Sequence, residues 1–121
     1  MQTLDALNAY FLTKPGTTAS YPFGEGTLVF KVLDKMYGLV SEDAAPLRLN
    51  LKCDPDDALA LRKQYDAIFP GYHMNKKHWN SLILDGSLSD ALVRELIDHS
   101  YGLVVAKMSQ ARQRQLRAVG K

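Results

Sequence analysis

The chain has 121 residues, of which 46% are hydrophobic and 23% are charged, and its net charge at neutral pH is +2. This composition is that of a folded globular protein, and it excludes disordered, fibrous and membrane-embedded classes. A chain of this length can bury one core without disulfides or metals, so a single domain over residues 1–121 is expected.

Cysteine usage and the first residues bear on location. Cys53 is the one cysteine, so no internal disulfide can form and a reducing compartment fits best. Asp5 lies where a secretory leader would have basic and then apolar residues, and no apolar run is long enough to span a membrane. We therefore expect a cytoplasmic protein without a membrane partner.

Charge is distributed unevenly along the chain. Ten of the 15 basic residues and all 13 acidic residues precede residue 107, which gives that part a net charge of −3. The remaining segment, 107–121, carries five basic residues and no acid. A basic tail of this kind favours a polyanionic partner, although a solvated helix end has the same composition.

The first helix is predicted by an apolar stripe near the N-terminus. Leu4, Leu7 and Phe11 recur at intervals of three and four, and Thr3 precedes them as a cap. Residues 16–26 contain three glycines and a proline, which predicts a loop whose aromatic side chains are covered by the domain edge.

Alternating apolar and polar residues then predict five strands. They form a hairpin, a single strand with Leu49 and Leu51 on its buried face, and a second hairpin, at residues 27–32, 36–40, 47–53, 72–74 and 79–84. The tip of the second hairpin, Asn75-Lys76-Lys77, is basic.

Two further helices are predicted around the second hairpin. Asp54-Pro55 is a strong helix start, and that helix should run to about Tyr65 with Leu59 among the residues that face the sheet. A long final helix begins at Ser87 as its cap. The order α-β-β-β-α-β-β-α predicts an α+β fold, a two-layer sandwich with helices on one side of an antiparallel sheet.

Several segments together resemble the YjbR family, also called the MmcQ/YjbR family, which is associated with DNA binding. The matching segments lie at residues 21–24, 29–32, 35–37, 49–52, 70–80 and 100–104, and the most specific is Pro70-Gly71-Tyr72-His73 through His78-Trp79-Asn80. The resemblance implies the same order of elements and a role in binding DNA.

Two groups of residues are candidates for contacting phosphates. The hairpin tip offers Lys76 and Lys77, with His78 and Trp79 beside them to pack on sugar or base. The alternative is that the lysines only solvate an exposed turn and that Trp79 belongs to the core.

The second group is a flat basic sheet face. Arg48 and Lys52, with Asn50 between them, alternate with buried leucines, although this is also the usual polar pattern of a solvated face. The tail arginines Arg112 and Arg114 could extend this surface, or they could fray.

Enzymatic and metal-binding interpretations are weaker. Capping explains Asp54, Asp56 and Asp57, and Cys53 alternates with buried residues, which favours an inert thiol. His73 and His78 could face a metal across the hairpin, but no third ligand is evident. No phosphate loop, GxSxG or HExxH motif is present, so we expect neither catalytic activity nor a cofactor.

The sequence therefore predicts a domain that binds DNA through its phosphate backbone. The residues assigned to this interface are Arg48, Lys52, Lys76, Lys77, His78, Trp79, Arg112 and Arg114. The alternative is a protein–protein adaptor that uses the same surface or a sheet edge and has no role with nucleic acid.

Overall fold

A computed structural model describes residues 2–71 and 74–119. These residues form four helices and six strands: α1 (Leu4–Phe11), β1 (Thr17–Ser20), β2 (Thr27–Val32), β3 (Lys35–Ser41), β4 (Leu47–Lys52), α2 (Pro55–Gln64), β5 (Ile68–Pro70), β6 (Trp79–Leu84), α3 (Asp90–Ala106) and α4 (Gln110–Val119).

The strands form one antiparallel sheet in the order β1-β2-β3-β4-β6-β5. This confirms the α+β fold and the predicted order of elements. The second hairpin consists of β5 and β6, so its first strand, Ile68–Pro70, comes before the strand predicted at residues 72–74. Of that predicted strand, Tyr72 and His73 lie outside the described residues.

The prediction of a loop over residues 16–26 is wrong for residues 17–20. Thr17–Ser20 forms an edge strand that pairs with β2, because β-branched threonines suit an extended edge. The aromatic residues that follow are not covered by the domain. Tyr21 is 48% exposed and Phe23 is 64% exposed, so this edge of the sheet ends in an apolar protrusion.

The main core lies between the helices and one face of the sheet. Leu7 and Phe11 of α1 and Val93 and Ile97 of α3 are fully buried there, together with the inward residues of the central strands. The Phe11 ring stacks on Phe30, with their centroids 3.9 Å apart. The resulting arrangement is helices against one face of a sheet.

A bulge in β3 changes which side chains face the helices. Phe30 pairs with Gly38 and Lys31 pairs with Met36, so Tyr37 is the extra residue. Tyr37 joins the main core, whereas Met36 packs on the opposite face with a small buried cluster of Val29, Leu39 and Trp79. Simple alternation along β3 cannot anticipate this reversal.

The predicted helix starts are partly confirmed. Thr3 caps α1 by accepting a hydrogen bond from the Ala6 N–H at 3.2 Å, and Asp54 caps α2 through the Asp56 N–H at 3.0 Å. Ser89, not Ser87, caps α3 by accepting from the Leu92 N–H at 3.1 Å. The cap therefore lies two residues later than predicted.

Two expectations about the helices are corrected. Leu59 is 55% exposed and points away from the sheet, because Ala58 and Leu61 already occupy the inward positions of this short helix. The final helix is interrupted between Lys107 and Ser109, which separates α3 from α4. In the described part of the chain, no helix is both long enough and apolar enough to cross a membrane.

Candidate nucleic-acid interface

A cleft of about 520 Å³ opens at the end of the sheet where β3 begins and β4 ends. Its walls are these strand ends, the start of β6 and the junction between α3 and α4. Four cationic side chains line it: Lys35, Lys52, Lys107 and Arg112. None of the nine described residues that line the cleft is acidic, and we call it the basic cleft.

The floor of the basic cleft is apolar. Met36, Trp79, Val104 and Met108 line it together with the cations. Met36 and Met108 are half-buried, whereas Trp79 is only 7% exposed and belongs to the small cluster on the second face of the sheet. Lys35 and Lys107 are exposed and cationic, whereas Trp79 and Val104 are buried and apolar, which gives the cleft a positive rim and an apolar interior.

Lys52 is fixed at the centre of this arrangement by its backbone and its neighbours. It is the last residue of β4 and lies directly opposite Trp79 in the antiparallel register. Its amino group lies 6.0 Å from the centre of the Trp79 ring. Its backbone N–H donates a 3.0 Å hydrogen bond to the buried Ser100 hydroxyl, which ties the strand end to α3.

The electrostatic environment of Lys52 is unfavourable to its own charge. Burial is the main cause that lowers the pKa of Lys52, and the nearby charges of Lys107 and then Lys35 lower it further. Binding of an anion beside Lys52 would therefore be favourable, because the negative charge would offset the repulsion between the three ammonium groups.

The break between α3 and α4 places the remaining cations. Lys107 is the C-cap of α3, and Ser109 begins α4 by accepting a hydrogen bond from the Arg112 N–H at 3.2 Å. The Arg112 guanidinium donates to the Leu33 carbonyl in the β2–β3 turn. This bond holds the start of α4 against the sheet and keeps Arg112 on the rim of the cleft.

The hairpin tip, residues 75–78, adjoins the cleft through Trp79. Lys76 and Lys77 are exposed on its turn. Arg62 of α2 holds the tip: its guanidinium donates to the carbonyls of Lys76 and Trp79 and, at 2.7 Å, to the Asn80 side-chain oxygen. The position of the two exposed lysines thus depends on a contact with α2.

The comparisons with known proteins show the family of this chain. The family model described as YjbR matches residues 12–103. The chain belongs to the YjbR family. It is 41% identical over 106 residues to the uncharacterized protein YbdF of Escherichia coli O157:H7, covering 88% of this chain and 87% of that protein. It is 32% identical over 114 residues to the uncharacterized protein YjbR of Escherichia coli K12, covering 94% and 97% respectively.

A solved structure extends the likeness to three dimensions. The crystal structure of Deinococcus radiodurans protein DR2400 superposes with a TM-score of 0.90 at 43% identity, covering 96% of this chain and 88% of that one. These names assign no activity. The likeness therefore shows the family and the fold of this YjbR domain.

The structure brings together three of the predicted interface residues of the YjbR domain. Lys52, Trp79 and Arg112 all line the basic cleft. Lys76 and Lys77 lie beside it on the hairpin tip, whose backbone at His78 accepts a 2.8 Å hydrogen bond from the Cys53 N–H. Trp79 also belongs to the small buried cluster on the second face of the sheet, so its interpretation as a core residue is confirmed.

The flat basic sheet face is not present in the form that was expected. Asn50 is buried and hydrogen-bonded to Ser81. Arg48 lies four residues, or about 13 Å, from Lys52 along β4, and its guanidinium lies 6.0 Å from the Phe69 ring. Arg114 is exposed on α4 and does not line the cleft. The charges therefore concentrate at one end of the sheet.

Sequence reasoning missed Lys35 and the two methionines and treated Lys107 only as part of a basic tail. Lys35 lies just before the strand predicted at residues 36–40, and its proximity to Lys107 depends on a contact between residues more than 70 positions apart.

The remaining candidates have structural explanations. Burial is the main cause that raises the pKa of Cys53 to about 11, which agrees with an inert thiol. Among residues 2–71 and 74–119, no group of three or more acidic, histidine or cysteine side chains is placed to hold a metal. His73, which was considered with His78 as a ligand pair, lies outside the described residues.

Proposed function

We propose that this YjbR domain is a cytoplasmic DNA-binding domain that contacts phosphates through the basic cleft and the hairpin tip. The observation that supports the proposal is that Lys35, Lys52, Lys107 and Arg112 converge on a cleft with no acidic side chain among its described lining residues. Clustered cations of this kind gain free energy on binding a polyanion, because the phosphates release condensed counterions.

The location of the positive charge also supports a polyanionic partner. The protein as a whole carries only +2, so its charge does not attract nucleic acid uniformly. Lys76 and Lys77 add two exposed charges at the same end of the sheet, where the hairpin tip adjoins Trp79. A nucleic-acid strand that enters the cleft would pass close to both lysines.

The family supports the proposal in a limited way. The resemblance to YjbR proteins implies DNA binding, and the matched residues include Lys35, Lys52 and the hairpin tip. The interface proposed here differs from the sheet face predicted by the sequence. Arg48 and Arg114 lie away from the cleft and are assigned no phosphate contact.

The test is fluorescence-polarisation binding to labelled DNA across a salt series. Replacing Lys52 and Lys107 by glutamine removes two cleft charges and keeps most of each side-chain stem. If each contacts one phosphate, the slope of log K against log salt becomes shallower by about 1.8 for duplex DNA, and affinity at about 0.1 M salt falls about 60-fold.

A matched control separates the cleft from overall charge. Lys63→Gln with Arg94→Gln removes the same total charge from exposed positions on α2 and α3 that do not line the cleft. We expect this pair to bind almost as the wild type does. Equal losses in both pairs would reject the cleft as the interface, and no binding by the wild type at low salt would reject the function.

One observation favours a protein–protein adaptor as the second candidate. The β1 edge strand pairs only with β2 among the described strands, and the exposed rings of Tyr21 and Phe23 follow it. An edge strand beside exposed aromatics is a surface on which an extended peptide can add a strand. A nuclease-resistant, stoichiometric protein complex lost on Phe23→Ser would favour this function over DNA binding.

A further inference from the structure

The shape of the basic cleft is poorly suited to an intact duplex. The phosphates of a double helix lie on its convex outer surface, while its bases are stacked and paired inside. Such a surface can contact the cationic rim, but it offers no apolar group that could pack against Met36, Met108 and Trp79 inside the cleft. Phosphate contact alone therefore leaves the apolar floor without a partner.

We propose that the basic cleft takes one unpaired nucleotide of a single strand, with its phosphate at the cationic rim and its base against the apolar floor. This inference rests on the proposed DNA-binding function and names the form of DNA that is recognised. The observation that supports this inference is that four cations and two methionines line the same cleft. They are Lys35, Lys52, Lys107, Arg112, Met36 and Met108.

The dimensions of the cleft agree with such an occupant. Its volume of about 520 Å³ lies within the range of roughly 300–1,000 Å³ found for pockets that hold small organic ligands. A nucleotide has the two-part chemistry that the cleft presents, since one end is anionic and the other is a flat, largely apolar ring.

The composition of the floor predicts weak discrimination between bases. Met36 and Met108 have flexible, polarisable side chains that adapt to rings of different shape. Trp79 is almost fully buried and the Lys52 amino group lies over its ring, so it supports the floor rather than offering a free stacking face. With the cations engaged by the phosphate, Ser109 is the single uncharged polar residue among the described lining residues that is left to read base edges.

The experiment compares a short mixed-sequence single strand with the duplex of the same sequence, at one salt concentration, by fluorescence polarisation. We expect the wild type to bind the single strand about tenfold more tightly, because only an unpaired base can bury apolar surface against Met36 and Met108. Met36→Gln with Met108→Gln should abolish this preference and leave duplex affinity unchanged, because the four cations remain. If the double variant unfolds, Met108→Gln alone supplies the same comparison.

Met74→Gln is the matched control. Met74 is half-buried and packs on the Trp79 cluster, but it does not line the cleft, so its variant should keep the preference for a single strand. A loss of preference in Met74→Gln equal to that in the floor variant would assign the effect to the cluster and overturn the proposal.

The remaining outcomes separate this inference from the function on which it rests. Duplex bound as tightly as single strand by the wild type would overturn the unpaired-nucleotide proposal and leave DNA binding in place. If neither the single strand nor the duplex binds at low salt, the proposal of DNA binding itself is wrong. Thymidine monophosphate is tested by calorimetry; if it binds and the single strand does not compete, the occupant is a free nucleotide and the strand proposal is wrong.

Discussion

Replacing Ser100 by alanine tests how the centre of the basic cleft is held in place. The Ser100 hydroxyl is fully buried, donates a 2.6 Å hydrogen bond to the Tyr37 carbonyl and accepts a 3.0 Å hydrogen bond from the Lys52 N–H. One side chain of α3 thus satisfies a backbone group on each of two adjacent strands. Alanine keeps the helix and removes both bonds without adding volume.

The expected cost follows from these two contacts. A buried backbone group left without its partner costs about 1–3 kcal/mol, and the Lys52 side of the contact is only partly buried, so the free energy of unfolding should fall by about 2–4 kcal/mol. For a chain of this length each kcal/mol lowers Tm by about 4 °C, which gives a fall of roughly 8–16 °C.

Urea unfolding measures this change directly. The midpoint should move to lower urea with an unchanged slope, because the surface exposed on unfolding is the same. Ser87→Ala is the control, since that hydroxyl is exposed and bonds only to Asp85 in its own turn at 2.6 Å; its effect should stay within about 0.5 kcal/mol. If Ser100→Ala unfolds at the wild-type midpoint, the two bonds do not hold the strand ends.

Three further predictions concern the cleft and its surroundings. Because the pKa of Lys52 is lowered by burial and by neighbouring cations, its charge is lost at a lower pH than that of an ordinary lysine. DNA affinity should therefore weaken as the pH rises, by up to about eightfold at about 0.1 M salt, while Lys52→Arg keeps its affinity; parallel pH profiles would contradict this. The Cys53 thiol, with a pKa of about 11, should react with a thiol reagent at neutral pH about a hundredfold more slowly than in the urea-unfolded chain, and equal rates would show that it is accessible. Arg62→Ala should lower the free energy of unfolding by about 1.5–3 kcal/mol and speed amide exchange across residues 74–79, and unchanged exchange there would mean that the hairpin tip is held by other contacts.

Features set by neighbouring residues were predictable from the sequence. Thr3 and Asp54 cap their helices because a side-chain oxygen reaches N–H groups two or three positions ahead, a relation visible in sequence. The strand at 47–52 was equally accessible, since Leu49 and Leu51 alternate with polar residues and one face of the sheet is buried.

Features set by distant contacts were not predictable in the same way. The bulge at Tyr37 reverses the facing of β3, and it depends on how β3 pairs with β2. The basic cleft depends on the end of α3 reaching the ends of β3 and β4, which brings Lys107 to Lys35 and Lys52. Spacing along the chain does not reveal that these three lysines lie close together. The sequence therefore predicts a flat basic face, whereas the structure has a cleft at the end of the sheet.

The match to the family model ends within α3, and this boundary divides the residues of the cleft between two parts of the chain. Lys35, Lys52 and Trp79 come from the segment 12–103 that the family model matches, whereas Lys107 and Arg112 follow it. Part of the wall that completes the charge pattern therefore lies outside the matched segment, although Leu116 of α4 is buried in the main core. Exchanging the cleft-lining residues after position 106 for acidic or apolar ones, with Leu116 kept, would change ligand choice without altering the sheet, which makes the C-terminal segment the natural place to engineer or diversify specificity.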